Sequence, residues 1–378
     1  MGPFCIDTYL PSFHEMEISL GATPLEVQQS LTAFLIPFAF MTLWHGALSD
    51  SLGRRRVVIV ALFVVAAASI GCALAPNIQV FWFFRVVQGL AAGVFVVGRA
   101  VVRDVFEGAA AQRVIAQVAM LFTIAPAIAP VLGGQLHEWF GWRSVFIFLA
   151  GFAALIATWS AMCLPETLPP ERRQPLEAGR LMRSYRETLT HSGFVFSSLA
   201  GAFNFTALFV YIAGAPAFLL RHLHVRETQF FWLFGPVTAG MMLGSALSGR
   251  LAGRLDTRHT LGWSYTAMFI AALANVGLHA GHEASLPWSV LPLFIYAVGM
   301  SLSLPTLTLI GLDFFPLHRG LASSCQAFLL TAANAIVAGA VVPFVSHSPL
   351  WLAVTSAGLM AIGLACTGLM RATKSRAY

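Results

Sequence analysis

Charged side chains are scarce in this sequence. Asp, Glu, Lys and Arg make up 10% of the 378 residues, whereas 58% of the residues are hydrophobic and the mean hydropathy is +0.77. A soluble domain carries about 25% charged residues, so too few charges are present to cover a water-facing surface of this size. The composition therefore excludes a soluble enzyme and a soluble nucleic-acid-binding protein.

The motifs of common catalytic and metal sites are also absent. The five cysteines show no CxxC spacing, and the 11 histidines show no metal-binding spacing. There is no Walker A loop for ATP, no HExxH or GxSxG motif, and no pair of carboxylates inside an apolar run. We therefore expect no enzyme activity, no metal and no cofactor.

Long apolar runs are abundant. A bilayer core of about 30 Å needs about 20 apolar residues in a helix. Eleven runs of that kind lie near residues 30–48, 57–75, 79–101, 113–136, 143–163, 194–213, 229–251, 260–279, 287–311, 319–344 and 350–370. A twelfth run, from Met1 to Phe13, has about 13 residues and would span only about 20 Å as a helix. We expect that residues of this helix before Met1 are missing.

The basic residues predict the orientation in the membrane. With 12 spans and a cytoplasmic N-terminus, the inside holds 18 of the 22 Lys and Arg residues. Only Arg143, Arg221 and Arg226 fall outside, and Arg85 alone lies within a span. This asymmetry follows the positive-inside rule and predicts that both termini are cytoplasmic. It also explains the formal net charge of +6 without a nucleic-acid partner.

The sequence indicates that the chain consists of two related halves. The loop after span 2 matches the loop after span 8 at Gly46/Gly249, Leu48/Leu251, Leu52/Leu255 and Arg55/Arg258. Such a parallel repeat is typical of two bundles related by an axis along the membrane normal. We expect an all-α polytopic membrane protein with one six-helix bundle at 1–164 and another at 193–378. A cytoplasmic linker at 165–192, with an amphipathic helix, joins them.

Several motifs resemble those of a known family. The loop that contains Gly46, Asp50, Gly53, Arg54 and Arg55 is similar to the signature loop of the major facilitator superfamily, and cytoplasmic charge bias alone would explain only its arginines. Four further segments resemble the bicyclomycin/chloramphenicol-resistance (Bcr/CflA) branch of that superfamily. They are Asp7-Thr-Tyr9-Leu10-Pro11, Arg85-Val-Val-Gln88-Gly89, Arg99-Ala-Val-Val-Arg103-Asp104 and Pro165-Glu166-Thr167-Leu168.

The resemblance implies the major facilitator fold, with 12 transmembrane helices in two six-helix bundles and helix 1 shortened at its N-terminus. It implies a secondary active transporter of the bacterial inner membrane that exports small lipophilic drugs in exchange for protons by alternating access, and so confers antibiotic resistance. The expected partners are the lipid bilayer, the drug and protons, and the proton gradient would supply the energy. We expect the protein to be a monomer.

Two other functions remain open. One is a proton-coupled or facilitative carrier of a small metabolite or nutrient on the same fold, since a fold alone does not settle function. The other is a membrane receptor or an intramembrane enzyme, although the catalytic motifs named above are absent.

Span 5 resembles the antiporter motif of the family. It contains Pro126, Pro130, Gly133 and Gly134, with Ala129 where the family usually has glycine. Two prolines four residues apart kink a helix, and the glycines allow close packing. In the family this bent helix favours exchange over leak. The alternative is ordinary small-residue packing between membrane helices.

Asp7 and Arg85 are the candidates for proton coupling. Asp7 is the one acidic residue well inside an apolar stretch, and Arg85 lies about six residues into span 4. Ionisable groups inside a membrane are costly and mark functional sites by default. The alternatives are hydration of Asp7 at the outer boundary and snorkelling of Arg85 to the surface. Asp7 is also the candidate partner of Arg85.

Further polar and aromatic side chains are candidates for substrate contact. Amides could line a cavity, although hydrogen bonds between helices are their commoner role. Aromatic rings could offer their faces to a cationic drug, although most aromatic residues here would face lipid. The expected substrate-binding residues are Asp7, Tyr9, Phe34, Phe38, Arg85, Gln88, Gln117, Asn204, Tyr211 and Asn334.

Overall fold

The protein is helical in a computed structural model, which describes residues 1–173 and 175–375. Within these residues every regular element is a helix, and 11 helical segments are long and apolar enough to cross a membrane. These spans are Pro24–Leu52, Arg54–Ala73, Ile78–Val105, Arg113–Phe140, Trp142–Cys163, Ser192–Ala213, Glu227–Leu251, Thr257–Gly281, Leu291–Asp313, Arg319–Val345 and Pro349–Thr373. The predicted all-α polytopic class is confirmed. Residues 376–378, which end the terminus expected in the cytoplasm, lie outside the described residues.

The N-terminal run is a broken helix. Helix α1 (Gly2–Asp7) ends at Asp7, and the Thr8 hydroxyl donates to the carbonyl of Phe4 at 2.6 Å. A single 3-10 turn follows at Leu10–Ser12, and then helix α2 (Phe13–Ser19) begins. Pro11 lies inside the turn, and because proline has no backbone N–H it interrupts the helical hydrogen bonds. Asp7 therefore lies at a helix end.

The first compact unit is Met1–Met182. After α2 it contains helices α3 (Pro24–Leu52), α4 (Arg54–Ala73), α5 (Ile78–Ala92), α6 (Phe95–Val105), α7 (Gly108–Phe140) and α8 (Trp142–Cys163). Thr23 and Glu26 form a reciprocal capping box at the start of α3, which satisfies backbone donors that the helix leaves free. The Asn77 side chain accepts from the N–H of Val80 and caps α5.

Span 4 differs from its prediction as one continuous helix. It divides into α5 and α6 at Gly93 and Val94, where the hydrogen bonds join residues three apart instead of four. A Cβ at Gly93 would lie 2.8 Å from Nδ1 of His45. Glycine is a poor helix former, and at this site it also allows α5 to approach α3.

The second compact unit is Arg183–Tyr378. The boundary falls inside helix α9 (Ala178–Thr190), which lies in the predicted linker. The later helices are α10 (Ser192–Ala213), α11 (Phe231–Leu251), α12 (Thr257–Gly281), α13 (Leu291–Asp313), α14 (Arg319–Ile336), α15 (Val342–Val345) and α16 (Pro349–Ser375). Short π-helical segments occur at Pro216–His222 and Val337–Val341.

Candidate functional site

Arg85 is a fully buried cation in the middle of the first unit. It lies two turns into α5 and its exposed fraction is 0%. Its Nη1 donates to the carbonyl of Cys5 at 3.0 Å and to Oε1 of Gln88 at 2.7 Å, and its Nε donates to the carbonyl of Ser30 at 3.4 Å. All three acceptors are neutral, so the charge of the guanidinium is solvated by dipoles.

Two aromatic rings cover the guanidinium. Its central carbon lies 4.5 Å from the ring centre of Tyr9 and 4.6 Å from that of Phe34. Both rings are fully buried, and a desolvated cation–π contact stabilises by about 2 kcal/mol. The Tyr9 hydroxyl is also 3.1 Å from the hydroxyl of Ser30. We call Tyr9, Ser30, Phe34, Arg85 and Gln88 the arginine cluster.

The Gln88-Gly89 pair fixes α5 against its neighbours. The Gln88 amide donates to the Ser69 hydroxyl on α4 at 2.7 Å. Gly89 lies so close to the carbonyl of Phe34 on α3 that a Cβ would overlap it. Small residues permit such approach of helix backbones, so the segment Arg85–Gly89 holds the arginine cluster between α3 and α4.

Asp7 is buried, but it is not paired with Arg85. Its exposed fraction is 3%, and its Oδ1 has no hydrogen-bond partner among the described residues. Over the same described ranges, Nη2 of Arg85 has no acceptor either. The expected Asp7–Arg85 pair is therefore not found. A buried acid without a partner is costly when ionised, which suits a group that takes up and releases a proton.

The antiporter-like helix α7 packs against the chain beside Asp7. A Cβ at Gly133 would overlap the carbonyl of Thr8, so the two backbones are in direct contact. Pro130 and Gly134 are buried and Pro126 is partly buried. Gln117, which was expected to line a cavity, is exposed on α7 and lies apart from the arginine cluster.

The signature loop is built around Arg54, the first residue of α4. Its guanidinium forms ion pairs with Asp50, at 3.1 Å, and with Asp104, near the end of α6. Its backbone N–H donates to Glu166 at 2.9 Å, and Nη2 of Arg55 donates to the carbonyl of Ala161 at 2.6 Å. The loop therefore ties the ends of spans 2, 3, 4 and 6 together.

The two glycines of this loop differ in their surroundings. Gly53 has φ +97°, a conformation that side chains other than glycine rarely adopt, and a Cβ there would overlap the Glu166 carboxylate. A Cβ at Gly46 would meet nothing within 4 Å. The backbone therefore requires glycine at position 53, whereas no close packing requires it at position 46.

Replacement of Gly53 by alanine is expected to destabilise the protein by about 2 kcal/mol, because strained backbone of this kind costs about 1–3 kcal/mol and the methyl group would also displace Glu166 from Arg54. Thermal unfolding in detergent, followed by tryptophan fluorescence, would measure the loss. Gly46→Ala is the matched control and is expected to unfold at the wild-type temperature. Equal midpoints for the two variants would contradict this role of Gly53.

In the second unit Asn204 belongs to a buried hydrogen-bond network. Its Nδ2 donates to the Tyr265 hydroxyl at 3.0 Å, and that hydroxyl lies 2.6 Å from the hydroxyl of Thr367. The Tyr296 hydroxyl donates to the carbonyl of Asn204 at 3.0 Å. Sequence reasoning missed Tyr265, Tyr296 and Thr367. Their types carried no usable signal, because tyrosine and threonine are common on lipid-facing and packed surfaces alike.

The other expected substrate residues also have protein partners. Asn275 donates to the Tyr211 hydroxyl at 2.7 Å, and Thr206 donates to Oδ1 of Asn334 at 2.8 Å. Phe38 stacks on Phe34, with ring centres 5.6 Å apart. The structure therefore brings Tyr9, Phe34, Arg85 and Gln88 into one cluster, while Asn204, Tyr211 and Asn334 are buried within the second unit.

Comparison with known proteins identifies the family. Residues 3–338 match the Major Facilitator Superfamily. The chain is 30% identical over 341 residues to the "Uncharacterized MFS-type transporter YdgK" of Bacillus subtilis, covering 89% of this chain and 84% of that protein. It is 27% identical to the "Bicyclomycin resistance protein homolog" of Haemophilus influenzae, covering 72% of this chain and 68% of that protein.

The solved structures agree in fold. The xylose transporter XylE from E. coli, in a partially occluded inward-open conformation, is similar with a TM-score of 0.70 and 14% sequence identity, covering 96% of this chain and 93% of that one. The predicted family and fold are thus confirmed, and so is the expectation of a transporter instead of an enzyme. This chain belongs to the Major Facilitator Superfamily, as a multi-pass membrane transporter of small molecules.

Proposed function

We propose that this protein exports small lipophilic drugs from the cytoplasm in exchange for protons, by alternating access. The observation that carries the proposal is the arginine cluster with Asp7 nearby in the same unit. A fully buried guanidinium has only neutral acceptors, and a buried carboxyl has a free oxygen among the described residues. Charges held in this way are costly inside a membrane and mark coupling sites.

Exchange follows from the chemistry of a single buried carboxyl. Protonation of Asp7 from outside neutralises it, and release of that proton to the cytoplasmic side restores the charge. A cationic lipophilic drug favours the deprotonated state, because the negative carboxylate then attracts it. Proton and drug therefore use the carrier in turn, which is antiport.

The relatives support drugs as the substrate class. One relative over most of the chain is named a bicyclomycin resistance protein homolog. The close backbone contact of Gly133 with Thr8 also supports exchange, because the antiporter-like helix then lies beside the candidate proton site.

The remaining features of the proposal concern location, assembly and energy source. We propose a bacterial inner-membrane location with both termini in the cytoplasm, and a monomer. The proton gradient supplies the energy, without a cofactor.

Reconstitution into proteoliposomes that contain a pH-sensitive dye would test the proposal. A panel of lipophilic compounds, including bicyclomycin and chloramphenicol, is added with and without an imposed proton gradient. We expect at least one compound to move against the direction of proton flow, and a protonophore to stop its accumulation. Movement of compound and protons in the same direction, or transport that a protonophore leaves unchanged, would instead indicate a symporter or a facilitative carrier.

A further inference from the structure

A carboxylate–histidine contact lies at the other end of the broken first helix. Oε2 of Glu15, on α2, is 2.9 Å from Nδ1 of His137 near the end of α7. The same oxygen accepts from the backbone N–H of Trp142 at 2.9 Å, at the start of α8. The Glu15 side chain is 43% exposed and that of His137 is 8% exposed. Glu15 therefore ties α2 to the corner between α7 and α8, and water can reach the contact.

Helix α7 contacts the chain on both sides of the break. Gly133 and His137 are four residues apart, so they share one face of α7 and are about 6 Å apart along its axis. Gly133 lies against the carbonyl of Thr8, next to Asp7, and His137 lies against Glu15. One face of the antiporter-like helix thus holds the end of α1 and the start of α2.

The segment between these two contacts is not a continuous helix. It consists of the 3-10 turn Leu10–Ser12, with Pro11 inside it. The hydroxyl of Ser12 is buried and has no hydrogen-bond partner among the described residues. No continuous helix connects Asp7 to Glu15, so the position of Asp7 depends on contacts on both sides of the break. On one side Cys5 and Tyr9 are held by Arg85 and Thr8 lies against Gly133. On the other side Glu15 is held by His137.

We propose that Glu15 and His137 are positioning residues for Asp7, and that their contact tightens when His137 takes up a proton from an acidic exterior. Histidine changes its charge between about pH 5 and 8, and a hydrogen bond between an imidazolium and a carboxylate is roughly twice as strong as a neutral one. Acid outside would therefore hold the Asp7 segment in place during proton uptake. This consequence for transport rests on the proposed function.

The neighbouring charged groups are engaged elsewhere or lie at the surface. On α2, His14 pairs with Glu17 at 3.6 Å. On α7, Glu138 is exposed. On α8, Arg143 donates to the Ser19 hydroxyl at 3.0 Å and to the carbonyl of Ala75 at 3.4 Å. Arg143 therefore adds a positive charge to this corner without contacting Glu15 through either of these bonds.

Cys5 supplies a reporter for the position of the segment. Its thiol belongs to α1 and is fully buried, so a maleimide reaches it only when α1 moves away from the helices packed against it, α7 among them. The experiment uses full-length protein in proteoliposomes, with alanine in place of Cys72, Cys163, Cys325 and Cys366. Labelling by N-ethylmaleimide is measured at two external pH values, and each variant is compared with the parent at the same pH, which cancels the intrinsic pH dependence of the thiol.

Histidine is largely protonated at an external pH of about 5.5. At this pH we expect Cys5 to be labelled about threefold faster in Glu15→Gln and in His137→Gln than in the parent. A threefold change in rate corresponds to the free energy that a partly exposed ion pair contributes. At pH 8 the ratio should fall to near one. The double variant should label no faster than either single variant, because both changes remove the same contact. Glu138→Gln, the same charge change one residue away, should label like the parent throughout.

Two results would overturn the proposal. One is parental labelling of both single variants at the acidic pH. The other is a ratio that does not change with pH, which would indicate a merely structural contact. Drug-driven proton movement is measured in the same vesicles. If the labelling pattern is found but no proton moves with any compound, the positioning role stands and the proposed antiport fails.

Discussion

Replacement of Asp7 by asparagine is expected to abolish drug-driven proton movement and leave the protein folded. Asparagine keeps the size of the side chain but cannot lose a proton, so the buried acid proposed for coupling no longer titrates. Folding should tolerate the change, because Oδ1 of Asp7 has no hydrogen-bond partner to lose among the described residues. A neutral amide is also cheaper to bury than a carboxylate.

Reconstituted variants in vesicles that contain a pH-sensitive dye would provide the measurement. The matched control is Asp313→Asn, since Asp313 makes an exposed ion pair with Arg319 at 3.2 Å, and exposed pairs contribute about 0–1 kcal/mol. The control should exchange drug for protons at the wild-type rate. Normal exchange by Asp7→Asn would show that Asp7 is not the coupling group, and the proposed mechanism would be rejected.

Arg85→Ala is expected to remove transport, and Arg85→Lys to retain a small part of it. Alanine removes the cation and leaves the acceptors at Cys5, Ser30 and Gln88 without their donor. Lysine restores a charge, but its ammonium group cannot stack between two rings as the planar guanidinium does. Loss of one desolvated cation–π contact, about 2 kcal/mol, would lower the affinity of any state that depends on it roughly thirtyfold.

Stability would be a poor readout for this position, because two effects oppose each other. Alanine leaves buried acceptors unsatisfied, at a cost of about 1–3 kcal/mol each, but it also removes a charge whose burial costs several kcal/mol. Transport by properly folded, monodisperse protein is the decisive measurement. Arg319→Ala is the control, because Arg319 is a surface residue with a 55% exposed side chain. Full activity of both Arg85 variants would show that transport does not depend on this buried cation.

The fold was largely predictable because it depends on composition. Apolar runs of sufficient length predicted the 11 spans, since a lipid environment requires a helix to satisfy its own backbone. The exception was span 4, which divides at Gly93. At the break a Cβ on Gly93 would meet His45 of α3, and a contact between residues on different helices has no local sequence signature.

The candidate site was predictable in its residues but not in its partners. Arg85 and Asp7 stood out because ionisable residues are rare in apolar runs. Their pairing was a natural expectation from charge alone, and it is not found. Arg85 instead uses the carbonyls of Cys5 and Ser30, and every residue has a carbonyl, so no pattern could indicate these two.

The aromatic roles were also misjudged in part. Phe34 was expected to offer its face to a drug and Tyr9 to contact the substrate. In the structure both rings lie on the guanidinium of Arg85. The rings and the cation are fully buried. Sequence reasoning recognised the interaction type and could not choose between a drug and Arg85 as the cation, because that choice depends on the packing of α3 and α5.

The enclosure of Arg85 between these two rings bears on inhibitor design. An inhibitor aimed at the guanidinium must first displace Tyr9 or Phe34, and it then has to replace the lost stabilisation with a flat aromatic group of its own. Compounds that carry only a negative charge and no aromatic ring would not replace the cation–π stabilisation that the displaced ring supplied. The design of inhibitors of this transporter would therefore begin from planar scaffolds with an acidic edge.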